Sequence, residues 1–180
     1  MKAPALICLM GTECTGKTTL AQTLARHFAG LWVPEYLRTF CDLHGRTPRP
    51  EEQALIVQTQ LDHEEQAITQ ARQRGCMHVF CDTAPLLTAI YSDYIFADRT
   101  LYARARTLHT RYALTLALAP DLPWQADGLQ REGAHVRAPI QVLLERELLA
   151  LSGPVRHITG TGAARAQAAI KAVQNVAEAA

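Results

Sequence analysis

The sequence predicts an α/β fold in which a five-stranded parallel sheet is flanked by helices on both faces, giving three layers. Two observations carry this expectation. Short apolar runs alternate with longer helix-patterned segments along the whole chain. The first apolar run also passes directly into a loop rich in glycine, lysine and threonine, with an amphipathic segment behind it.

Ala5–Met10 is a continuous apolar run ending in Gly11, the pattern of a strand buried on both faces. From Lys17 to Phe28, Leu20, Leu24 and Phe28 recur at fourfold spacing and mark one face of a helix. Leu31–Tyr36 reads as the second strand, with Pro34 near its end, and Cys41–Pro50 reads as a loop holding Gly45, Pro48 and Pro50. Glu51–Arg74 is a long polar helix stopped by Gly75; its sparse apolar positions Leu55, Leu61 and Ile68 imply packing along one edge. His78–Cys81 with Asp82 forms the third strand, a mainly helical stretch follows, and Leu114–Ala119 is the fourth strand. Pro120–Gly133, rich in Pro, Asp and Gly, reads as a loop. Ala138–Leu151 is helical, Val155–Thr159 is the fifth strand and Ala163–Ala179 an alanine-rich last helix. No repeat, low-complexity linker or composition break divides residues 1–180, so one domain is expected.

Composition narrows the function classes. The chain is 48% apolar and 19% charged with a formal net charge of +1, so no whole-molecule field favours nucleic acid or an anionic membrane. Any polyphosphate site must come from local geometry. The five cysteines are odd in number and lack C-x-x-C spacing, which fits buried thiols in a reducing cytosol. The N-terminal order of charge then apolar run is too short for a signal peptide and has no A-x-A site, and no stretch approaches the ~20 apolar residues of a membrane span. A cytoplasmic protein is expected.

Gly11-Thr12-Glu13-Cys14-Thr15-Gly16-Lys17-Thr18 matches G-x-x-x-x-G-K-[ST] between a strand and a helix, the context this phosphate-binding motif requires. Its glycines let successive N–H groups face a polyphosphate, and the helix N-terminus adds its dipole. Lys17 is placed to reach the β- and γ-phosphates of ATP, and the Thr18 hydroxyl to ligate Mg²⁺. Thr19 either joins the site or satisfies the first helical turn, while Glu13 and Cys14 read as spacers in the loop. Asp82, at the end of the third strand, stands where a second Mg²⁺ partner belongs; a simple strand cap is the alternative. Thr83 follows it, not the glutamate of ATPase motors, and the sole asparagine, Asn175, rules out a guanine-reading N-K-x-D motif. A kinase remains.

A kinase needs an acceptor site and a group to take or orient the acceptor proton. Glu35 follows the second strand, at the carboxyl edge where open α/β sheets bind ligands, and Arg38 lies three residues on. The pair reads either as acceptor base and clamp or as a surface ion pair. Residues 121–137 read as a polar lid carrying Arg131, with Arg137 further along.

Gly-Thr-Glu-Cys-Thr-Gly-Lys-Thr-Thr, Val33-Pro34-Glu35-Tyr36 with Arg38, Asp82-Thr83, and Pro120-Asp121-Leu122-Pro123-Trp124 with Asp127-Gly128 occur in that order. Together they resemble the nicotinamide riboside kinase domain of the bacterial NadR-type proteins and the wider family of NadR-like P-loop kinases. The resemblance implies a P-loop NTPase fold of the nucleoside and nucleotide kinase type. It also implies ATP-dependent phosphorylation of the 5′-hydroxyl of nicotinamide riboside, giving nicotinamide mononucleotide. Lys17 and Thr18 would then hold ATP and Mg²⁺, Asp82 would be the acidic partner of the metal, and Glu35 would face the acceptor ribose.

The same resemblance places Tyr36, Arg38, Gln60, Tyr94, Trp124 and Asp127 around the acceptor. Gln60 is otherwise a solvated helix residue, Trp124 an anchor of the lid base and Asp127 a cap of its turn. Tyr91, Asp93, Tyr94 and Phe96 form an aromatic–acidic cluster suited to a cationic base, and helix packing accounts for these aromatics equally well. The family carries arginine directly after Asp-Gly-Leu, where this chain has Gln130 and then Arg131, so either Arg131 or Arg137 is the lid cation. None of the seven histidines makes an H-x-G-H motif, so neither dinucleotide synthesis nor DNA binding is expected. Rival readings are a kinase of another nucleoside or small alcohol, and an ATP-binding regulatory module. The long polar helix and the alanine-rich last helix each offer a homodimer face.

Overall fold

A computed structural model describes residues 3–124 and 134–179. Five strands, β1 (Ala5–Met10), β2 (Leu31–Val33), β3 (His78–Asp82), β4 (Leu114–Leu118) and β5 (Val155–Ile158), form one parallel sheet in the order β2-β3-β1-β4-β5. Seven helices are described: α1 (Lys17–His27), α2 (Tyr36–His44), α3 (Gln53–Arg74), α4 (Pro85–Phe96), α5 (Leu101–His109), α6 (Arg137–Leu149) and α7 (Gly162–Ala179). The expected five-stranded parallel sheet between helices is the fold observed.

Strand side chains alternate between two cores. Ile7, Leu9, Phe80, Leu114, Leu116 and Leu118 point to the face covered by α1 and α7. Leu6, Cys8, Met10, Val79, Cys81 and Ala117 point to the face covered by α3, α4 and α6. The apolar runs are continuous because both faces of the sheet are dry. From β1 the chain crosses to one side of the sheet, and after β3 it crosses to the other. The switch point therefore lies between β1 and β3, and the crevice at their carboxyl ends is where such folds bind ligands.

Two local expectations are corrected. The second strand ends at Val33, paired with Cys81, rather than at Tyr36. Glu35 instead starts α2, which absorbs much of the segment read as a loop from Cys41. The first N–H of α2, on Tyr36, is taken by Gln60 Oε1 of α3 at 2.8 Å, and Phe40 and Cys41 are buried. A helix N-terminus leaves such donors orphaned, so Gln60 supplies the missing acceptor across elements. Leu55, read as a packing position of the long helix, is 52% exposed. The inward stripe is Ile56, Val57, Gln60, Leu61, Glu64, Ala67, Ile68 and Ala71.

Glu64 on that stripe is fully buried. The Tyr112 hydroxyl donates to its Oε1 at 2.7 Å and Arg111 lies 3.6 Å from its Oε2, with Glu65 beside it. Desolvation outweighs these partners and pushes the carboxyl up to about 7. A raised carboxyl binds its proton more tightly in the folded state, so the stability it contributes is complete below pH ~4.5 and lost as pH rises through about 7. The loss is on the order of 3 kcal/mol. Urea unfolding of Glu64→Gln should therefore show a smaller fall in midpoint between pH 5 and 8 than the parent does, and a midpoint above that of the parent at pH 8. Parallel pH dependences in the two proteins would contradict this origin.

No helix among the described residues is long and apolar enough to cross a membrane.

Candidate active site

The loop between β1 and α1 is shaped by two glycines. A Cβ on Gly11 would lie 2.6 Å from Thr15 Oγ1 and 3.1 Å from the Leu118 carbonyl oxygen, so only glycine fits there. Gly16, at φ 79°, occupies the left-handed region at the start of α1. Between them, Thr15 Oγ1 donates to the Thr12 carbonyl at 2.9 Å and closes the loop on itself. The Lys17 ammonium folds over the loop and donates to the carbonyls of Gly11 and Thr12 at 3.0 and 3.1 Å.

Across the switch point, Asp82 pairs with Leu9 of β1, and Thr18 Oγ1 donates to Asp82 Oδ2 at 2.5 Å. Asp82 Oδ1 is buried with no hydrogen-bond partner. Two adjacent oxygen donors, one with unused acceptor capacity, match the hard-oxygen preference of Mg²⁺. Among the described residues no group of three or more His, Cys, Asp or Glu is placed to hold a metal, so a cation here would share its remaining positions with phosphate oxygens and water. Thr83 follows at φ 88°, an outlier for a β-branched residue, with its N–H on the Leu9 carbonyl at 3.1 Å. Strain of this kind costs about 1–3 kcal/mol and persists only where the surroundings over-determine it.

These groups open into a cleft of about 890 Å³, within the size range of small-molecule sites. It is lined by Glu13 through Thr19 of the loop with Leu122 and Pro123, by Glu35, Arg38, residues 47–50, Gln53 and Ile56, and by Leu87, Thr88, Tyr91, Ile95 and Phe96 from α4. The Glu35 carboxyl is raised by burial in the cleft wall; Lys17 pulls it down, Asp82 pushes it up and Arg38 pulls it down. Asp82 is likewise raised by burial, against Lys17 and the Thr18 hydrogen bond.

Lys17, Thr18, Thr19, Glu35 and Arg38 thus line one cleft, and Asp82, outside the lining, is joined to it through the Thr18 hydrogen bond. Several other expected residues lie elsewhere. The Tyr36 ring packs on Phe40 and His63, and Gln60 serves the α2 terminus as described. Tyr94 points outward and is not part of the lining; Tyr91, one helical turn earlier on α4, is. Asp93 faces α5, accepting from Arg99 and from the Tyr102 hydroxyl. Trp124 is half-buried outside the cleft lining, its indole N–H without a hydrogen-bond partner. Asp127 and Arg131 lie outside the described residues. Arg137 donates to the Leu122 carbonyl at 2.8 Å, and its Nε and Nη2 are buried with no hydrogen-bond partner.

The sequence reading missed Arg165. On the buried face of α7, and 4% exposed, it donates to the carbonyls of Thr15 in the phosphate loop, Ala119 after β4 and Gly160 before α7, and it pairs with Asp121. Asp121 in turn accepts from the Gly160 N–H at 2.7 Å. The available signal was a lone arginine on an alanine-rich helix whose other buried positions, Ala169, Ile170, Ala172 and Val173, are all apolar.

A family model described as an AAA domain matches residues 6–165, most of the chain and every element of this cleft from β1 to Arg165. The chain belongs to that family. No curated protein matches it significantly by sequence. Among solved structures, a NadR protein in complex with NR is similar over 96% of this AAA-domain chain and 51% of the NadR chain, at 23% identity and a TM-score of 0.82. NadR in complex with NAD and AMP-PNP gives 96% and 49% coverage, 22% identity and a TM-score of 0.78. The deoxyadenosine kinase from M. mycoides covers 97% and 100% at 13% identity and a TM-score of 0.61. The chain spans about half the length of the NadR proteins, and at these identities what is shared is the fold.

Proposed function

We propose that the chain is an ATP-dependent kinase of a small nucleoside-like acceptor, with the 5′-hydroxyl of nicotinamide riboside the acceptor group best supported. The observation that carries the proposal is the convergence of Glu35 with Lys17 and the Thr18–Asp82 pair in one cleft at the switch point. A carboxylate there serves neither the phosphate loop nor the core. Its place beside Lys17 suits the acceptor end of a phosphoryl transfer. The fold shared with NadR structures bound to NR and to AMP-PNP supports the choice of acceptor and donor.

In this scheme loop N–H groups and Lys17 bind the β- and γ-phosphates of ATP. Thr18 and Asp82 would hold Mg²⁺, which neutralises developing phosphate charge when bound. Glu35 accepts the proton of the acceptor hydroxyl. That oxygen bonds to the γ-phosphorus, the bond from the γ-phosphorus to the β–γ bridging oxygen breaks, and ADP leaves carrying the electron pair. Arg131 or Arg137 from the lid, with Arg38, screens the transferring group.

The test is ADP release from Mg·ATP with and without nicotinamide riboside, with the product followed by mass. Riboside-dependent release with a product heavier by one phosphoryl group is expected. ATP binding without stimulation by the riboside, or by a panel of deoxynucleosides and nucleotides, would leave a binding module in place of a kinase.

A further inference from the structure

Arg165 has no part in the phosphoryl-transfer scheme, and its place runs against two general preferences. It stands in the first turn of α7, where the helix dipole disfavours a cation, and it is 4% exposed, where a charge loses its hydration. Apolar packing of Ala169, Ile170, Ala172 and Val173 already holds α7 on the sheet. The guanidinium is directed instead at backbone carbonyls: Gly160 at 2.6 Å, Ala119 at 3.1 Å and Thr15 of the phosphate loop, with Asp121 meeting its charge. Two of those carbonyls belong to anchored chain. The Ala119 N–H bonds the Ile158 carbonyl of β5 at 2.9 Å, and the Gly160 N–H bonds Asp121. Thr15 is thereby referred to the carboxyl ends of β4 and β5.

The peptide bond between Thr15 and Gly16 is trans. In a trans peptide the carbonyl and the N–H of one unit lie in a single plane and point in opposite directions. With the Thr15 carbonyl held by Arg165, the Gly16 N–H of the same unit points away from Arg165. Thr15 and Gly16 line the cleft and Arg165 does not, so the side away from the guanidinium is the cleft side. Gly16, at φ 79°, accepts either sign of φ and cannot by itself keep this plane from turning over. The plane has to be held from outside the loop.

Resting on the reading that this loop holds the polyphosphate of ATP, we infer that Arg165 is a positioning residue for nucleotide, locking the Thr15–Gly16 peptide with its N–H toward the phosphates. It acts through that peptide and not through its own charge, which Asp121 meets.

The experiment measures the dissociation constant of ADP by calorimetry and follows the Gly16 amide in protein labelled with 15N-glycine. Both are done in the parent, Arg165→Gln and Arg165→Lys, with urea midpoints alongside. Arg165→Gln should weaken ADP by about tenfold or more, the effect of losing a hydrogen bond to a charged group, and should lose the downfield shift of the Gly16 amide that ADP produces in the parent. Arg165→Lys keeps a charge beside Asp121 and should stay folded. A compact ammonium cannot reproduce the guanidinium fork across these carbonyls, so this variant should also weaken ADP and diminish the Gly16 shift. A lowered urea midpoint with parental ADP affinity and Gly16 shift would make Arg165 a structural residue and overturn the inference, as would parental values of both in Arg165→Lys. The ADP measurements need no turnover, so they decide the inference even where no acceptor stimulates ADP release. A parent that binds no ADP overturns it together with the reading of the loop.

Discussion

Lys17→Ala is expected to lower kcat by at least about a hundred- to thousandfold, the usual effect of removing a single donor that meets transition-state charge. The variant should remain folded. The lysine's own contacts are with the carbonyls of Gly11 and Thr12 at a partly buried position, and no apolar packing depends on its head group. The change has a second reading. Lys17 is the leading influence that pulls both Glu35 and Asp82 down against burial. Its removal should raise the Glu35 carboxyl further, so the residual activity should need higher pH than the parent. Measuring kcat against pH in both proteins checks the two effects at once. Full activity in the variant would sink the phosphoryl-transfer scheme.

Glu35→Gln should cost about a hundred- to ten-thousandfold in kcat, the range attributed to a positioned general base. The pH profile separates this role from simple positioning. A base must be ionised to act, and burial raises this carboxyl. Parent kcat/KM should rise with pH on an acid limb lying above the ordinary carboxylate range, and Glu35→Gln should lose that limb. A variant that keeps the limb and loses only affinity for the acceptor would make Glu35 a binding residue.

How far the sequence foretells the molecule depends on whether the decisive force is local. The strand–glycine loop–helix unit was legible because the spacing of Gly11, Gly16 and Lys17 is itself the geometry. Asp82 was legible because an apolar run that finishes on a carboxylate marks the carboxyl end of a buried strand, where such sheets bind ligands. Helix α2 was not. Val33-Pro34 continues an apolar run, yet Pro34 cannot donate to a sheet and Glu35 redirects the chain. The Tyr36 N–H found its partner on Gln60, 24 positions away.

The same distance hides the meaning of polar residues on α3, where Gln60 and Glu64 belong to a helix that reads as polar and largely exposed but face inward. On α4 the period did hold the answer: Leu87, Tyr91 and Ile95 recur every fourth residue along the cleft, and Tyr94 falls off that stripe. Arg165 lay beyond any local pattern, since its partners Thr15 and Ala119 are joined only by the finished sheet.

That last side chain has a bearing on synthesis. The phosphate loop is translated 150 residues before the guanidinium that tethers its backbone. Domains assemble as the chain emerges, N-terminal parts first. A nascent chain stopped before α7 would own every phosphate-binding residue and still lack the tether that braces the loop against the end of β4. Competence to hold nucleotide would then mark the synthesis of α7, and chains stopped before it would be spared futile hydrolysis.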